Sequence, residues 1–378
     1  MKPGRRPEIW YVSRTRIDAE SAQAMQVNDM LAALHHHPGL TLKATVAVRK
    51  DLPVNITDFA VSSIRSSLLG KTFYIYFAFR FVCQILASTS PQAIVYSRDI
   101  LNVFFALLFG LRAVYEMHQP LRSKASRVLF RLSIKIWPHK FKVVVISGPL
   151  SAYLENEFMC PGEKILVAHD GVDINWYECA KAKSSVSYLR EQEQIPKDIK
   201  IIMHTGSIYK GGIGAVLDVL SRYPQFWFVH IGGTKEDCSI LQQKAQLSGL
   251  SNISVFPQKA KDTIPAYHAQ SDFLIYIIGQ QSGLSRYTSP LKLFEYMVSG
   301  QPVIYASTSS VDEVITPDFG YDFIPDDIGS LNAVFEKVLS TPTEGRKKAA
   351  ASYDHVSQQY TWHHRVSRIC DMIKNWET

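Results

Sequence analysis

Residues 199–233 read IKIIMHTGSIYKGGIGAVLDVLSRYPQFWFVHIGG. The apolar run IKIIMHTGS predicts a strand ending in a glycine turn. A helix follows to about Ser221, and FWFVHIGG reads as a second strand. The order then repeats: a helix to Leu247, the strand ISVFP, a helix near Ile264 to Gln270, the strand FLIYII, a helix from Leu291 to Val298, and the strand PVIYAS. Strands separated by helices imply a parallel sheet covered on both faces, so the strands are apolar throughout rather than alternating.

The chain before residue 199 follows the same plan. EIWYVS, LTLKATVAV, PQAIVYS, RAVYEM, KVVVIS and the start of EKILVAHDGVD read as strands. Between them lie helical stretches at Ala19–His36, at LNVFFALLFGL, and from about Leu121 to Trp137. The prediction is an α/β chain with two doubly wound parallel-sheet domains facing across a cleft. Ligands of such sheets bind beyond the carboxyl ends of the strands, which makes the cleft the expected site. The polar stretch CAKAKSSVSYLREQEQIPKDIK sets the boundary. The predicted parts are a first domain at 1–178, a linker at 179–199, a second domain at 200–353, and a C-terminal helix at 354–378 that docks back on the first domain.

Composition narrows the class. The 378 residues are 46% hydrophobic and 20% charged, with 20 Gly and 18 Pro, which argues against a disordered, collagenous or coiled-coil protein. The 5 Cys form no C-x-x-C pair, which argues against a disulfide scaffold or a Cys-rich zinc site and for a reducing, cytoplasmic compartment. The apolar run Ile9–Val12 is too short for a secretory leader. Phe73–Ala87 is interrupted by Arg80, and Leu101–Met117 by Arg112 and Glu116. Neither offers the roughly 20 apolar residues of a membrane span, and both predict buried helices with nearby strands. A formal charge of +7 suits an anionic ligand or surface. No zinc finger, basic zipper or RNA-binding aromatic motif accompanies it, so no nucleic-acid partner is expected.

Three stretches carry candidate chemistry. In SPLKLFEYMVSGQPVIYAS, Ser289 suits a helix N-cap and Pro290 the first helical position. The amides of Leu291 and Lys292 would then open a phosphate site, with Lys292 adding charge and Glu295 one turn on to accept vicinal hydroxyls. The same residues also suit an ordinary capped helix. In HTGSIYKGG, Gly206 and Ser207 allow close backbone approach and Lys210 could pair with a phosphate; a plain strand-to-helix turn reads the same way. In VYEMHQP, Glu116 and His118 stand at a strand's carboxyl edge, where His118 could relay a proton or hold structure. YSRD places Arg98 at another strand end, open to an anion or to Asp99. The His35-His36-His37 run is assigned no metal.

Read in order, YSRD, YEMHQP, VVVISGPL, HDGVD, HTGSIYKGG, IPAYHAQSDFLIY, SPLKLFEYMVSGQPVI and YTWHHRVSRI resemble the retaining nucleotide-sugar glycosyltransferases of family 4. The resemblance covers nearly the whole chain and implies two Rossmann-like domains in the GT-B fold. It implies that Glu295 holds the donor ribose and that the amides around Leu291 and Lys292 bind the diphosphate. Gly206, Ser207 and Lys210 would contact the phosphates, His118 would lie near the transferred sugar, and the last helix with Trp362 would return to the first domain. Three positions depart from the family. Tyr287 stands where a first carboxylate often precedes Glu295. SRTRIDAESAQ replaces a glycine-rich loop, leaving amides near Ser21 and Ala22 for phosphate. Ser207 stands where an Arg often follows the glycine, with Arg286 as a substitute.

No Asp-x-Asp pair occurs in the sequence, so no metal and no cofactor are expected, and the co-substrate is a nucleotide-diphosphate sugar. The acceptor would be a glycan or a lipid-linked glycan. Lys124, Arg127, Arg131 and Lys135 share one helical face that suits an anionic membrane surface, while Ala125, Val128, Leu132 and Trp137 would face inward. Rival readings are a nucleotide-sugar epimerase, a glycogen-type phosphorylase, and a non-catalytic sugar-nucleotide-binding partner subunit.

Overall fold

The computed structural model describes residues 6–17, 19, 21–48, 61–65, 70–87, 93–184, 186, 188–208, 211–283 and 285–376. They form two compact units, Met1–Asp170 with Trp362–Thr378, and Gly171–Thr361.

The first unit holds β1 (Glu8–Arg16), β2 (Thr41–Val48), β3 (Val61–Arg65), β4 (Ile94–Ser97), β5 (Arg112–Met117), β6 (Phe141–Val145) and β7 (Ile165–Val167). They pair in the order β3-β2-β1-β4-β5-β6-β7, all parallel. The second unit holds β8 (Lys200–Thr205), β9 (Phe226–Ile231), β10 (Ile253–Phe256), β11 (Phe273–Tyr276), β12 (Val303–Ala306) and β13 (Tyr321–Phe323). Their order is β10-β9-β8-β11-β12-β13, again parallel. Each order reverses once, between β1 and β4 and between β8 and β11, and ligands of doubly wound sheets bind at that switch. Two edge strands were not anticipated. In β13 only Tyr321 and Phe323 are buried, and β3 is VSSIR; neither offers a run of four apolar residues.

Boundaries differ from the sequence expectation. Residues 171–199 belong to the second unit rather than to a first domain and linker. Asp173 caps the helix Ile174–Lys183 by accepting from the Trp176 amide at 2.9 Å. The buried Tyr177 hydroxyl meets His268 Nδ1 at 2.8 Å, and the Leu189 amide donates to Gln270 at 2.6 Å. These anchors are single residues in a polar stretch, which hides them from composition. The C-terminus is two helices, Pro342–Gln359 and Trp362–Lys374. They break where Thr361 bridges Val172 and the Val172 amide donates to the Tyr360 carbonyl at 3.0 Å. The chain passes to the first unit at that break. The last helix buries Trp362, Val366, Ile369 and Ile373 at helical spacing.

Both apolar stretches in the first half are helices, Gly70–Leu86 and Ile100–Leu108. Phe73, Phe77, Phe81 and Ile85 of the first are buried, and Phe81 meets Trp10 of β1 edge-on. Its other face is not buried: Ile75 is 69% and Phe79 64% exposed. No helix of the described residues is long and apolar enough to cross a membrane.

Candidate active site

In the second unit, the carboxyl ends of β8 and β9 meet through glycines. Gly206 has φ +129° and Gly232 φ +150°. A Cβ on Gly232 would stand 2.1 Å from the Gly206 carbonyl oxygen, so the two turns touch backbone to backbone. A Cβ on Gly206 would stand 1.4 Å from Lys292 Nζ. The Lys292 ammonium therefore occupies the space left by the absent Gly206 side chain. Two stretches far apart in sequence, HTGS and SPLKLFE, converge at this point.

The helix start differs in detail from expectation. The helix is Leu291–Met297, with Pro290 at the cap and no side-chain cap bond. The buried Ser289 lies one residue too early to cap it. Its carbonyl accepts from the Leu291 amide at 3.1 Å, so that amide is not open to a phosphate as expected. Glu295 is half-buried on this helix, and its charge is felt at the hydroxyls of Tyr177 and Tyr296. Ser207 is exposed in the loop after Gly206, and Lys210 lies outside the described residues. Arg286 is exposed, its guanidinium 5.7 Å from the Tyr287 ring.

Beneath Lys292 lies a buried polar layer that sequence reasoning missed. The Thr205 amide donates to the Tyr296 hydroxyl at 2.8 Å, and Thr205 Oγ1 meets His268 Nε2 at 3.3 Å. His204 and His230 stack, with Nδ1 atoms 3.0 Å apart. Burial, and then the nearby Lys292 charge, pushes His268 down to about 3. Burial likewise pushes His230 down to about 4; the Gly232 carbonyl opposes this and Lys292 adds to it. Both are neutral at neutral pH, so neither adds positive charge beside Lys292. His204 and His230 end equivalent runs, IKIIMH and FWFVH, and pair in register across β8 and β9. That repetition was the signal available in the sequence.

The first unit gathers a second set of groups. Glu116, on β5, is buried and bonded through Oε1 to His118 Nε2. Arg98, after β4, lies 3.9 Å from Glu116 Oε1 and donates to Gln26 Oε1 at 3.1 Å. It does not pair with Asp99, which binds Arg14 at 3.1 Å and caps the next helix through the Leu101 amide. Gln26 Nε2 donates to Asp170 Oδ2 at 2.9 Å. Arg365 of the last helix reaches Glu116 Oε2 at 3.4 Å and Asp170 Oδ1 at 3.8 Å. Ser21 caps the helix Ala22–His36 by accepting from the Ala24 amide at 3.2 Å. Arg365 and Asp170 were not anticipated. The available clue was an arginine three residues after Trp362, inside an apolar helical stripe.

Solved structures share this architecture over nearly the whole chain. A glycosyltransferase from Rickettsia africae aligns with TM-score 0.77 at 17% identity, covering 98% of this chain and 99% of its own. The sucrose-phosphate synthase of Thermosynechococcus elongatus aligns with TM-score 0.74 at 16% identity, covering 98% of both. The fold is the GT-B glycosyltransferase fold. Anabaena Alr3699/HepE, solved with UDP and glucose, aligns with TM-score 0.71 at 15% identity, covering 97% of this chain and 99% of its own. In sequence, residues 241–371 match the family described as Glycosyl transferase-like. The chain is 29% identical over 197 residues to the putative colanic acid biosynthesis glycosyl transferase WcaI of Escherichia coli K12. That stretch is 48% of this chain and spans about half, 47%, of the relative.

Proposed function

We propose that the chain is a retaining, metal-independent glycosyltransferase of family 4. It moves a sugar from a nucleotide-diphosphate sugar to a hydroxyl of a glycan or lipid-linked glycan, in cell-surface polysaccharide or glycolipid synthesis. The observation that carries this reading is the Lys292 ammonium lying over Gly206 at the carboxyl end of β8, with Glu295 one helical turn away. Lys292 supplies fixed positive charge for a diphosphate that gains negative charge as it leaves. Glu295 accepts the ribose hydroxyls. Gly206 and Ser207 bring backbone to the phosphates, with Arg286 adding charge from the surface. His118 is assigned to the transferred sugar. No protein nucleophile is assigned; the acceptor attacks from the leaving-group face, and a diphosphate oxygen takes its proton. The named function of the Escherichia coli relative supports a polysaccharide product.

Calorimetry against a panel of nucleotide sugars is expected to find one that binds. Turnover is then read as free nucleoside diphosphate on adding a lipid-glycan extract, with the anomeric configuration of the product read by NMR. Binding without turnover would make the chain a non-catalytic partner subunit, for which Tyr287 in place of a carboxylate is the motive. Conversion of the donor without acceptor would indicate an epimerase. Binding to no nucleotide sugar would overturn the donor site.

A further inference from the structure

The buried stripe of the last helix contains one charge. Arg365 is 3% exposed, as is Glu116. Its guanidinium bonds the Ala168 carbonyl and lies against Glu116 and Asp170. Taking an arginine and two carboxylates out of water is costly unless they pair, and removing one partner leaves an uncompensated charge. Arg98 closes the ring through Gln26 and Glu116. The ring thus balances two arginines against two carboxylates, with His118 attached at Glu116.

This arrangement determines the protonation of Glu116 and His118. Burial alone would raise the Glu116 carboxyl, but Arg365, then His118 and Arg98, outweigh burial and hold it well below the usual carboxylate range. An ionised carboxylate only accepts hydrogen bonds, so the proton between it and His118 belongs to Nε2. Burial, and then Arg98, lower the proton affinity of His118, against the opposing pull of Glu116 and Asp170. The hydroxyls of Tyr11 and Tyr96 also feel Glu116, and both are raised by burial first and so stay neutral. A neutral imidazole protonated on Nε2 carries its lone pair on Nδ1.

We propose that Glu116 and Arg365 are positioning residues for His118. Arg365 keeps Glu116 ionised, and Glu116 fixes the imidazole with its proton on Nε2, so that Nδ1 accepts a hydrogen bond from a hydroxyl of the donor sugar. The role of the sugar rests on the transferase reading above; the tautomer does not.

The test is nitrogen NMR of protein labelled at histidine, with the His118 signals assigned by their loss in His118→Gln. At neutral pH the parent is expected to show a protonated Nε2 and an unprotonated Nδ1. Glu116→Gln removes the anion, so the proton should distribute between the two nitrogens. In the same variant the acid limb of the transfer rate should move to lower pH, by roughly 1 pH unit. Arg365→Gln removes the cation that keeps Glu116 ionised, so Glu116 takes up a proton and the limb should again move to lower pH. Arg365→Lys retains the charge and should stay near the parent. General loosening of the fold would lower the rate without carrying the limb to lower pH in these two variants and sparing it in Arg365→Lys. A parent His118 protonated on Nδ1 overturns the proposal, as does a limb unmoved in both Glu116→Gln and Arg365→Gln. Where either of those two variants fails to fold, the spectra of the parent and of Arg365→Lys decide. The spectra need no turnover, so a protein without transferase activity would overturn the function and leave the tautomer measurable.

Discussion

Gly206 and Gly232 both have positive φ, yet alanine at the two positions should behave differently. At Gly206 the new methyl meets the far end of a flexible side chain, Lys292, which can swing away. At Gly232 it meets the Gly206 carbonyl, which is backbone. Backbone strain of this kind costs about 1–3 kcal/mol. Thermal melts should therefore show Gly232→Ala less stable than Gly206→Ala, while Gly206→Ala should lose most of its affinity for a nucleoside diphosphate. Glu295 makes a complementary case. A hydrogen bond to a charged group contributes roughly 1.5–3 kcal/mol. Glu295→Ala should accordingly weaken donor binding about 10-fold to 150-fold, at roughly 1.4 kcal/mol per decade. Lys292→Ala should weaken the diphosphate more than the monophosphate. Calorimetry on folded Glu295→Ala with unchanged affinity would leave this helix as a capped helix and nothing more.

The helix Lys124–Ile136 differs from its expected orientation. Ala125 and Val128 were assigned inward, but Val128 is 51% exposed and Ala125 is exposed too. The inward position belongs to Phe130, which packs edge-on to Tyr115, Phe141 and Phe158. Arg127 is drawn to Glu157 at 3.0 Å and to the Tyr153 hydroxyl at 3.1 Å. The outward face is thus Lys124, Val128, Arg131, Lys135 and Ile136, a mixture of cations and apolar groups that suits the surface of an anionic bilayer. We propose peripheral binding there, with each Lys or Arg contributing about 1 kcal/mol. Lys124→Glu, Arg131→Glu and Lys135→Glu together should abolish salt-sensitive sedimentation with anionic vesicles and spare nucleotide binding. Equal sedimentation with neutral vesicles would rule this face out.

Stability of the folded chain should fall on mild acidification. His230 and His268 are held neutral at about 4 and about 3, against an ordinary value of 6.5. The unfolded chain takes up these protons below 6.5 while the folded chain does not, so acid favours unfolding. Stability is retained above that value, and the loss runs down to about 4 for His230 and about 3 for His268. Each group contributes a slope of about 1.4 kcal/mol per pH unit inside its window. Denaturant titrations between pH 7 and pH 4 should show this slope, and the double variant His230→Asn, His268→Asn should show less of it. A second expectation concerns metal. Neutralisation of the diphosphate is assigned to Lys292 and Arg286, so nucleotide affinity should be the same with magnesium and with a chelator. Loss of binding on chelation would show that a metal takes part.

Much of the architecture was legible because apolar runs alternate with helical spacing over the full length. That pattern specifies two parallel doubly wound sheets, since only strands buried on both faces can be apolar throughout. The edge strands β3 and β13 escaped because short, half-covered strands need no apolar run. Lys292, Glu295, Gly206 and His118 were legible as residue types at strand ends and a helix start. The convergence of Lys292 on Gly206 was not, because 85 residues lie between the turn after β8 and the helix start that carries Lys292, and these meet only when β8 and β11 pair. The Arg365 ring was hidden for the same reason. Its members come from five separate stretches, and a buried charge reads as an interruption until its partners are in place. The sequence by itself determined the class of fold and the residue types that bear chemistry, through periodicity and turn chemistry, which are local. Only the tertiary structure decided which charges pair, which histidines stay neutral and which face of the basic helix meets solvent, because each depends on burial and on distances across the sheet.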